Sequence, residues 1–483
     1  MTAPSPSLWT SIARHRRFYL LFTLIAIGLR LLFIFKFALI APDSLVYGDI
    51  AKNWLHGVYG LSGTHTPGPA GSPPVLALEP TNIRMPGYPA FLALCFVLFG
   101  REHYHAVMFV NLAFDLATCF FIADLALRSV GERAARLAFA LAATCVMFAN
   151  YVATPLTEPL AIFAASAALD CAVIGFAAAA ERRRNRAWIF CGVAIGFGIL
   201  LRPDGGILLA AVLAYIAWRR LRGCMTTRAA SSAAATVAII SLAPLVPWTI
   251  RNWHTMHQFQ PLAPVYANTP GEYVPRAFVR WQKTWIVDYS SVEDIWFHVP
   301  GDELSINDLP SRAFDNEDQR RQTAQLFAEY NLAKVMSPAL DGEFAALAAQ
   351  RISEHPLRYY VGLPLLRALD LWVRPHTEML PLDSHWWQFD QDLHDSIFGT
   401  AVGLLGWFYV ASALLCFPRR VHVRFAGLFL FFFALRSAVL AYMPNPEQRY
   451  MLECFPALLV FAAAGLNGQQ PSKAVASTRG AQA

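Results

Sequence analysis

The stretch FYLLFTLIAIGLRLLFIFKFALIAPDSLVYGDIAKNWLHGVYG, residues 18–60, decides the reading of this chain. Its first part, 18–40, is an apolar block long enough to cross a hydrocarbon core of roughly 30 Å. It is too long for a signal-peptide core and no small-residue cleavage site follows it, so it reads as a retained helix. Asp43 stands just past the outer end of this block, and the cluster IRMPGYP (83–89) follows within the same hydrophilic stretch. An acid at the mouth of a membrane helix, ahead of a loop that carries its own arginine, points to chemistry at the membrane surface.

Composition sets the solvent. Of 483 residues, 56% are hydrophobic and 15% charged, and the mean hydropathy is +0.39. Apolar residues come in blocks rather than stripes, which predicts an all-α polytopic membrane protein. The net charge of +6 has a topological origin, because arginine is concentrated in short loops. Such loops stay in the cytoplasm by the positive-inside rule, so the basic balance speaks for orientation and not for nucleic acid.

Those loops are Arg14 to Arg17, Arg128 to Arg136, ERRRNR (181–186), Arg219 to Arg228 and PRRVHVR (418–424). Counting crossings between them predicts about ten spans: 18–40, 104–127, 137–152, 159–175, 188–201, 206–218, 230–250, 397–416, 425–442 and 450–466. Segment 88–99 is too short to cross and 359–373 carries Arg367 and Asp370 in its middle. Both are therefore expected as juxtamembrane helices on the outer side. The resulting organisation is a transmembrane catalytic module over 1–250 with an outer loop at 41–86, an outer and interfacial region over 251–396, C-terminal helices over 397–470, and a cytoplasmic tail at 471–483.

The outer region is rich in Trp, Asp and Arg and predicts a helix over 315–332. Its last piece, 374–396, carries Trp386 and Trp387, a pair suited to headgroup level. The eight cysteines are scattered mainly through apolar spans or at their ends, with no CxxC spacing, and read as small core residues.

Chemistry is offered by polar residues at the outward ends of helices. These are Asp43; Glu158 in TPLTEPL (154–160); Arg202 and Asp204 in LLRPDGGILL (200–209); Arg251 in PWTIRNW (247–253); and Arg449 in PNPEQRY (444–450). Ionisable groups at membrane depth are costly and usually tied to function. Each has a plainer alternative. Asp43 or Glu158 would serve as a helix-start cap, and Arg202, Arg251 or Arg449 would snorkel to lipid phosphate. Asp49 reads as a surface residue of an interfacial helix, and His376, His385 and His394 as structural rather than metal ligands, since no i, i+4 pair unites them.

Asp43 with Tyr47, RMPGYPAFLALCFVLFG (84–100) with Tyr88, TPLTEPL, LLRPDGGILL, PWTIRNW and RYMLECFPALLVFAAAGL (449–466) occur in an order that resembles bacterial glycosyltransferases of the GT-C fold. The resemblance is to the branch related to protein O-mannosyltransferases and aminoarabinose transferases. It covers 18–253 well and the C-terminal helices more loosely. It implies a bacterial inner-membrane enzyme that transfers a sugar from a polyprenyl-phosphate carrier to a glycan, lipid or protein acceptor on the non-cytoplasmic side. The first-loop acid would be Asp43 and the second-loop acid Glu158, with Tyr47 and Tyr88 near the substrate. Many relatives carry an acidic pair at the first position; here it is Asp43-Ser44, which weighs against a metal at that point. No cofactor is implied with certainty, and a divalent metal stays open.

The residues suit that chemistry on their own terms. An acid accepts the proton of an attacking hydroxyl, and arginines hold a phosphodiester and the charge that grows on the departing phosphate. Arg84, Arg202, Arg251 and Arg449 are the candidates. No phosphate-cradling glycine loop is present. A transporter would show repeat symmetry and polar groups at the bilayer midplane; no repeat is visible. A polysaccharide polymerase or ligase would share the lipid-linked donor but not the early Asp43 and RMPGYP order.

Overall fold

The computed structural model describes residues 7–63, 78–266, 273–382, 385–389 and 392–467. The expected tail at 471–483 and part of the first outer loop lie outside the described residues. A short α1 (Leu8–Arg14) leads into α2 (Arg16–Lys36), and α3 (Pro42–Leu55) follows it. The hairpin β1 (Gly60–Ser62) and β2 (Leu78–Pro80) is antiparallel with Leu61 opposite Glu79. Next come α4 (Gly87–Phe99), α5 (Tyr104–Ser129), α6 (Glu132–Ala143), α7 (Val146–Val152) and α8 (Glu158–Ala177). The first half closes with α9 (Glu181–Leu201), α10 (Gly206–Leu221), α11 (Thr227–Leu242) and α12 (Leu245–Met256).

Seven helical segments among the described residues are long and apolar enough to cross a membrane, or eight if the bent α6–α7 pair is one span. The helix expected over 137–152 is that pair, broken at 49°. Neither proline nor glycine marks the break. Instead the guanidinium of Arg30, from the middle of α2, takes the carbonyls of Ala142 and Ala143 and pairs with Asp115 of α5 at 2.8 Å. Carbonyls released at a helix break need partners inside a membrane, and a charged donor supplies them. The ERRRNR run, expected as loop, forms the first turns of α9.

Contacts sort the helix ends into two faces. Arg14 pairs with Glu132 at 2.7 Å, the Arg424 amide bonds Ser129 at 2.7 Å, and Arg219 stacks over Phe176 and Phe425. The basic loops thus gather at one end, as their shared cytoplasmic assignment requires. The Tyr104 hydroxyl at the start of α5 meets Ser44 at the other end. The segment after α4 stays beside α3 through the Lys52–Glu102 pair at 2.7 Å.

The region expected to lie outside folds into a small helical cap with its own core. It contains α13 (Arg276–Gln282), α14 (Tyr289–Glu293), α15 (Glu317–Ala333) and α16 (Pro338–Glu354), so the helix expected over 315–332 is α15. Trp281, Trp285, Phe327, Tyr330 and Phe344 fill its interior. Buried Arg351 ties Thr284 and Gln319 together. The chain returns through α17 (Leu363–Val373), where Arg367 donates to the carbonyls of Ile286, Lys283 and Ala441 and so joins the cap to the membrane helices. The last three helices are α18 (Leu393–Leu414), α19 (Ala426–Ala441) and α20 (Phe455–Asn467). The whole run from Phe455 to Gly465 is buried, so α20 is a central post of the bundle.

Candidate active site

Helix α3 begins with Pro42 in its first turn and Ala41 as N-cap, the setting in which a proline's missing N–H costs nothing. Asp43 follows in the same first turn, but its carboxylate caps nothing. One oxygen meets Arg84 Nη2 at 2.6 Å and the other lies 3.3 Å from Arg449 Nη2. Glu158 opens α8, again without a capping bond from its N-cap Thr157; its Oε1 accepts from Arg202 Nη1 at 2.9 Å and lies 3.8 Å from Arg449 Nε. Arg84, Arg202 and Arg449 do not snorkel, because each points inward to a carboxylate.

A chain of alternating charge results. It runs from Arg84 to Asp43, Arg449, Glu158, Arg202 and Asp204, the last pair at 3.0 Å, and then to Arg436 at 2.8 Å from both Asp204 and Glu453. Arg202 also lies 4.1 Å from the Tyr450 ring centroid, and Arg449 sits against Glu447. Six residues singled out in the sequence, Asp43, Arg84, Glu158, Arg202, Asp204 and Arg449, therefore converge at one end of the bundle, opposite the basic loops. Gly87 permits part of this: a Cβ there would lie 2.6 Å from the Leu200 carbonyl, so only glycine lets the RMPGYP segment press against the end of α9.

The two acids are not equivalent. Asp43 has a third of its side chain exposed, at 34%, whereas Glu158 is at 4%. Burial works against an ionised Asp43, but Arg84, Arg449 and Arg202 together outweigh it and hold the carboxyl below its ordinary range. Asp43 is thus an ionised, reachable carboxylate with arginines on two sides. Tyr47 and Tyr88 stack edge to face at 4.9 Å behind it, with Arg84 over the Tyr47 ring. Tyr88 is fully buried and its hydroxyl has no partner among the described residues.

Arg251 stands apart from this chain. Its guanidinium donates to the Tyr59 and Thr81 carbonyls and lies over the Tyr59 and Trp248 rings, fastening the ends of the β1–β2 hairpin to α12. Asp49 holds the same loop, accepting from the Ser62 amide at 2.7 Å. His376 is buried against Phe455. Among the described residues one group of possible metal ligands comes together on the cap, half-buried Asp315 with exposed Glu354 and His355. Asp315 is already held by both Nη atoms of Arg358. Seven of the eight cysteines are buried or half-buried and none is paired; Cys224 is exposed.

Sequence reasoning missed Glu447, Tyr450, Glu453 and Arg436. A single arginine inside the apolar run of α19 was the available signal for Arg436. Replacing it removes the cation paired with Glu453 and one of the two paired with Asp204 among the described residues. Arg436→Ala should cost about 3–5 kcal/mol of stability, the usual penalty for orphaning a buried charge. Arg436→Ala protein in detergent should melt well below the parent, and a melting temperature within a degree of the parent would contradict this.

Residues 80–248 match the model of the dolichyl-phosphate-mannose-protein mannosyltransferase family. That region opens at the end of β2 and includes Arg84, Glu158 and Arg202; Asp43 and Arg449 lie outside it. The architecture is similar to the archaeal oligosaccharyltransferase AglB from Archaeoglobus fulgidus in complex with an inhibitory peptide and a dolichol-phosphate, at 14% identity and TM-score 0.51 over 95% of this chain and 50% of that one. The chain has the GT-C fold. It spans about half the length of that oligosaccharyltransferase. ArnT from Cupriavidus metallidurans, bound to undecaprenyl phosphate, aligns over 92% of the GT-C chain and 77% of its own at 15% identity and TM-score 0.41. Curated proteins give no match.

Proposed function

We propose that this GT-C protein transfers a sugar from a polyprenyl-phosphate donor to an acceptor hydroxyl on the non-cytoplasmic face of the membrane, with Asp43 as base. The observation that carries this reading is the ionised Asp43 carboxylate held between Arg84 and Arg449 at the end of the bundle remote from the basic loops. The family description and the dolichol-phosphate complex of AglB support a lipid-linked donor.

The acceptor oxygen attacks the anomeric carbon while its proton passes to Asp43. The bond from that carbon to the phosphate oxygen breaks, its electron pair stays on the phosphate, and configuration inverts. Arg84 and Arg449 stabilise the added negative charge. The same two arginines depress the basicity of Asp43 in the resting protein. A bound phosphodiester draws their charge toward itself, so donor binding raises the basicity of Asp43 at the moment a base is needed. Glu158 and Asp204 hold Arg202 as an inner wall, and the cap beside α17 borders the acceptor side.

Purified protein should release labelled sugar from a polyprenyl-phosphate donor to acceptor, with an Asp43 variant as the blank. Equal release by the parent and the variant would count against the assignment. Topology has its own check. Ser62 and Asn307 are both exposed, so cysteines placed there should label from outside in intact cells. Protection of both would invert the orientation.

A further inference from the structure

A helix lying on the outer surface, as segment 359–373 reads from the sequence, meets only the ends of the spans. Helix α17 instead runs down the sides of two of them. At its start the Tyr360 carbonyl accepts from the hydroxyl of Tyr442, the C-cap of α19. Near its end Trp372 donates to Ser437 at 2.8 Å and packs edge to face on Phe433, which lies about 13 Å back along α19 from Tyr442 at 1.5 Å per residue. A second ruler, α18, gives the same depth. Phe398 stacks on Phe37, where α2 ends, and Trp407, about 13 Å further along α18, donates to the Val373 carbonyl. The chain then climbs back along α18. Pro375 lies against Gly403, Leu380 shares a buried cluster with Val402 and with Phe33 and Ile34 of α2, and Trp386 lies against Gly399. The path enters along α17 and leaves by the same side.

The two faces of α17 differ. Arg367 and Asp370 point inward, the first to backbone carbonyls of the cap and α19, the second accepting from Gln448 Nε2 at 2.7 Å. The helix therefore stands directly behind the segment that carries Arg449. On the other face Leu365, Leu366, Leu369 and Val373 are exposed, with no charged side chain among them. Three observations say what covers this face. Helix α19 has 16 residues and is about 24 Å long, shorter than a hydrocarbon core of roughly 30 Å, so a helix packed between its ends sits at hydrocarbon depth. The apolar face continues into exposed Leu404 and Trp407 of α18, a helix long and apolar enough to cross a membrane. Non-helical backbone at that depth has to be covered by protein, and no residue from 374 to 380 is exposed.

We propose that α17 is a re-entrant helix whose face of Leu365, Leu366, Leu369 and Val373 docks against the acyl chains of the leaflet on the cap side.

The test uses purified full-length protein in vesicles of phosphatidylethanolamine and phosphatidylglycerol, with the exposed native thiol removed as Cys224→Ser. A nitroxide is attached in turn at Val361→Cys, Leu365→Cys, Leu369→Cys and, on the cap, Asn307→Cys. Each replaces an exposed side chain, so the fold is retained. Collisions are measured with oxygen, which concentrates in hydrocarbon, and with a water-soluble nickel chelate. The ratio of oxygen to nickel collisions should be about tenfold higher at 365 and 369 than at 307, and the label at 369 should read about 10 Å deeper than that at 361. Nickel access at 365 and 369 equal to that at 307 would make the face water-lined, and equal depth at 361 and 369 would lay the helix flat in the interface; either overturns the proposal. Exclusion of both reagents would put protein there, a second copy of this chain if spin–spin broadening accompanies it, and the lipid assignment would fall.

Discussion

Asp43→Asn should abolish turnover by about 10²-fold or more, the scale set by losing a general base. The amide keeps the shape of the carboxylate but accepts no proton at neutral pH. Donor affinity should hold or rise, because the variant releases Arg84 and Arg449 from their shared counter-ion. This combination of dead chemistry and intact or tighter binding separates a base from a structural ion-pair partner, whose loss would weaken both. Exposure decides which acid to test first. Glu158 is almost wholly enclosed and committed to Arg202, so a substrate hydroxyl reaches Asp43 more readily. The pH profile carries the same sign. The arginines hold the Asp43 carboxyl below its ordinary value near 3.9, so it is ionised above that point and becomes protonated only as pH falls through the depressed value. Asp43 should then contribute no loss of kcat/KM, which reports the donor-free protein, between roughly pH 8 and pH 5. Single-turnover rates with labelled donor, alongside lipid titration, measure both halves, and near-normal turnover by Asp43→Asn would pass the role to Glu158.

Much of this site was legible because membrane burial makes ionisable residues conspicuous. Asp43, Arg84, Glu158, Arg202 and Arg449 sit at the ends of apolar blocks, and end positions on the same face converge once the basic loops are assigned to the other. Charge pairing was not legible in that way. Arg251 has the same sequence setting as Arg202, yet it spends its donors on loop carbonyls, a choice fixed by the path of the hairpin. The break between α6 and α7 was hidden because its residues are apolar and helix-compatible; its cause is a guanidinium from a different helix.

The alternating chain of charge also orders the arginines by availability, since donors already bound to carboxylates are not free for phosphate. Arg202 donates through Nε to Asp204 and through Nη1 to Glu158, and Arg436 is enclosed completely. These two act as scaffolding for Arg449, which touches Asp43, Glu158 and Glu447. The assembly carries nearly balanced charge in the resting state, so the proposed phosphodiester donor would have to compete with a carboxylate for its arginine.

Arg84 is where that competition costs least, and Arg84→Lys should lower kcat/KM by about tenfold or more. Arg84 is bonded to Asp43 through Nη2, and its Nε has no partner among the described residues. Its side chain is 21% exposed, beside a carboxylate that is itself open to solvent. A guanidinium in this position can keep one prong on Asp43 and offer another to phosphate, a geometry that lysine's single ammonium does not reproduce despite equal charge. Arg251→Lys provides the contrast. Its guanidinium bridges two backbone carbonyls, so lysine there should loosen the hairpin and lower thermal stability while leaving affinity for undecaprenyl phosphate close to that of the parent. Donor titrations on both variants read the difference directly. Equal, small effects at both positions would mean that Arg84 serves only as the counter-ion of Asp43, and the phosphate would then have to be held through Arg449.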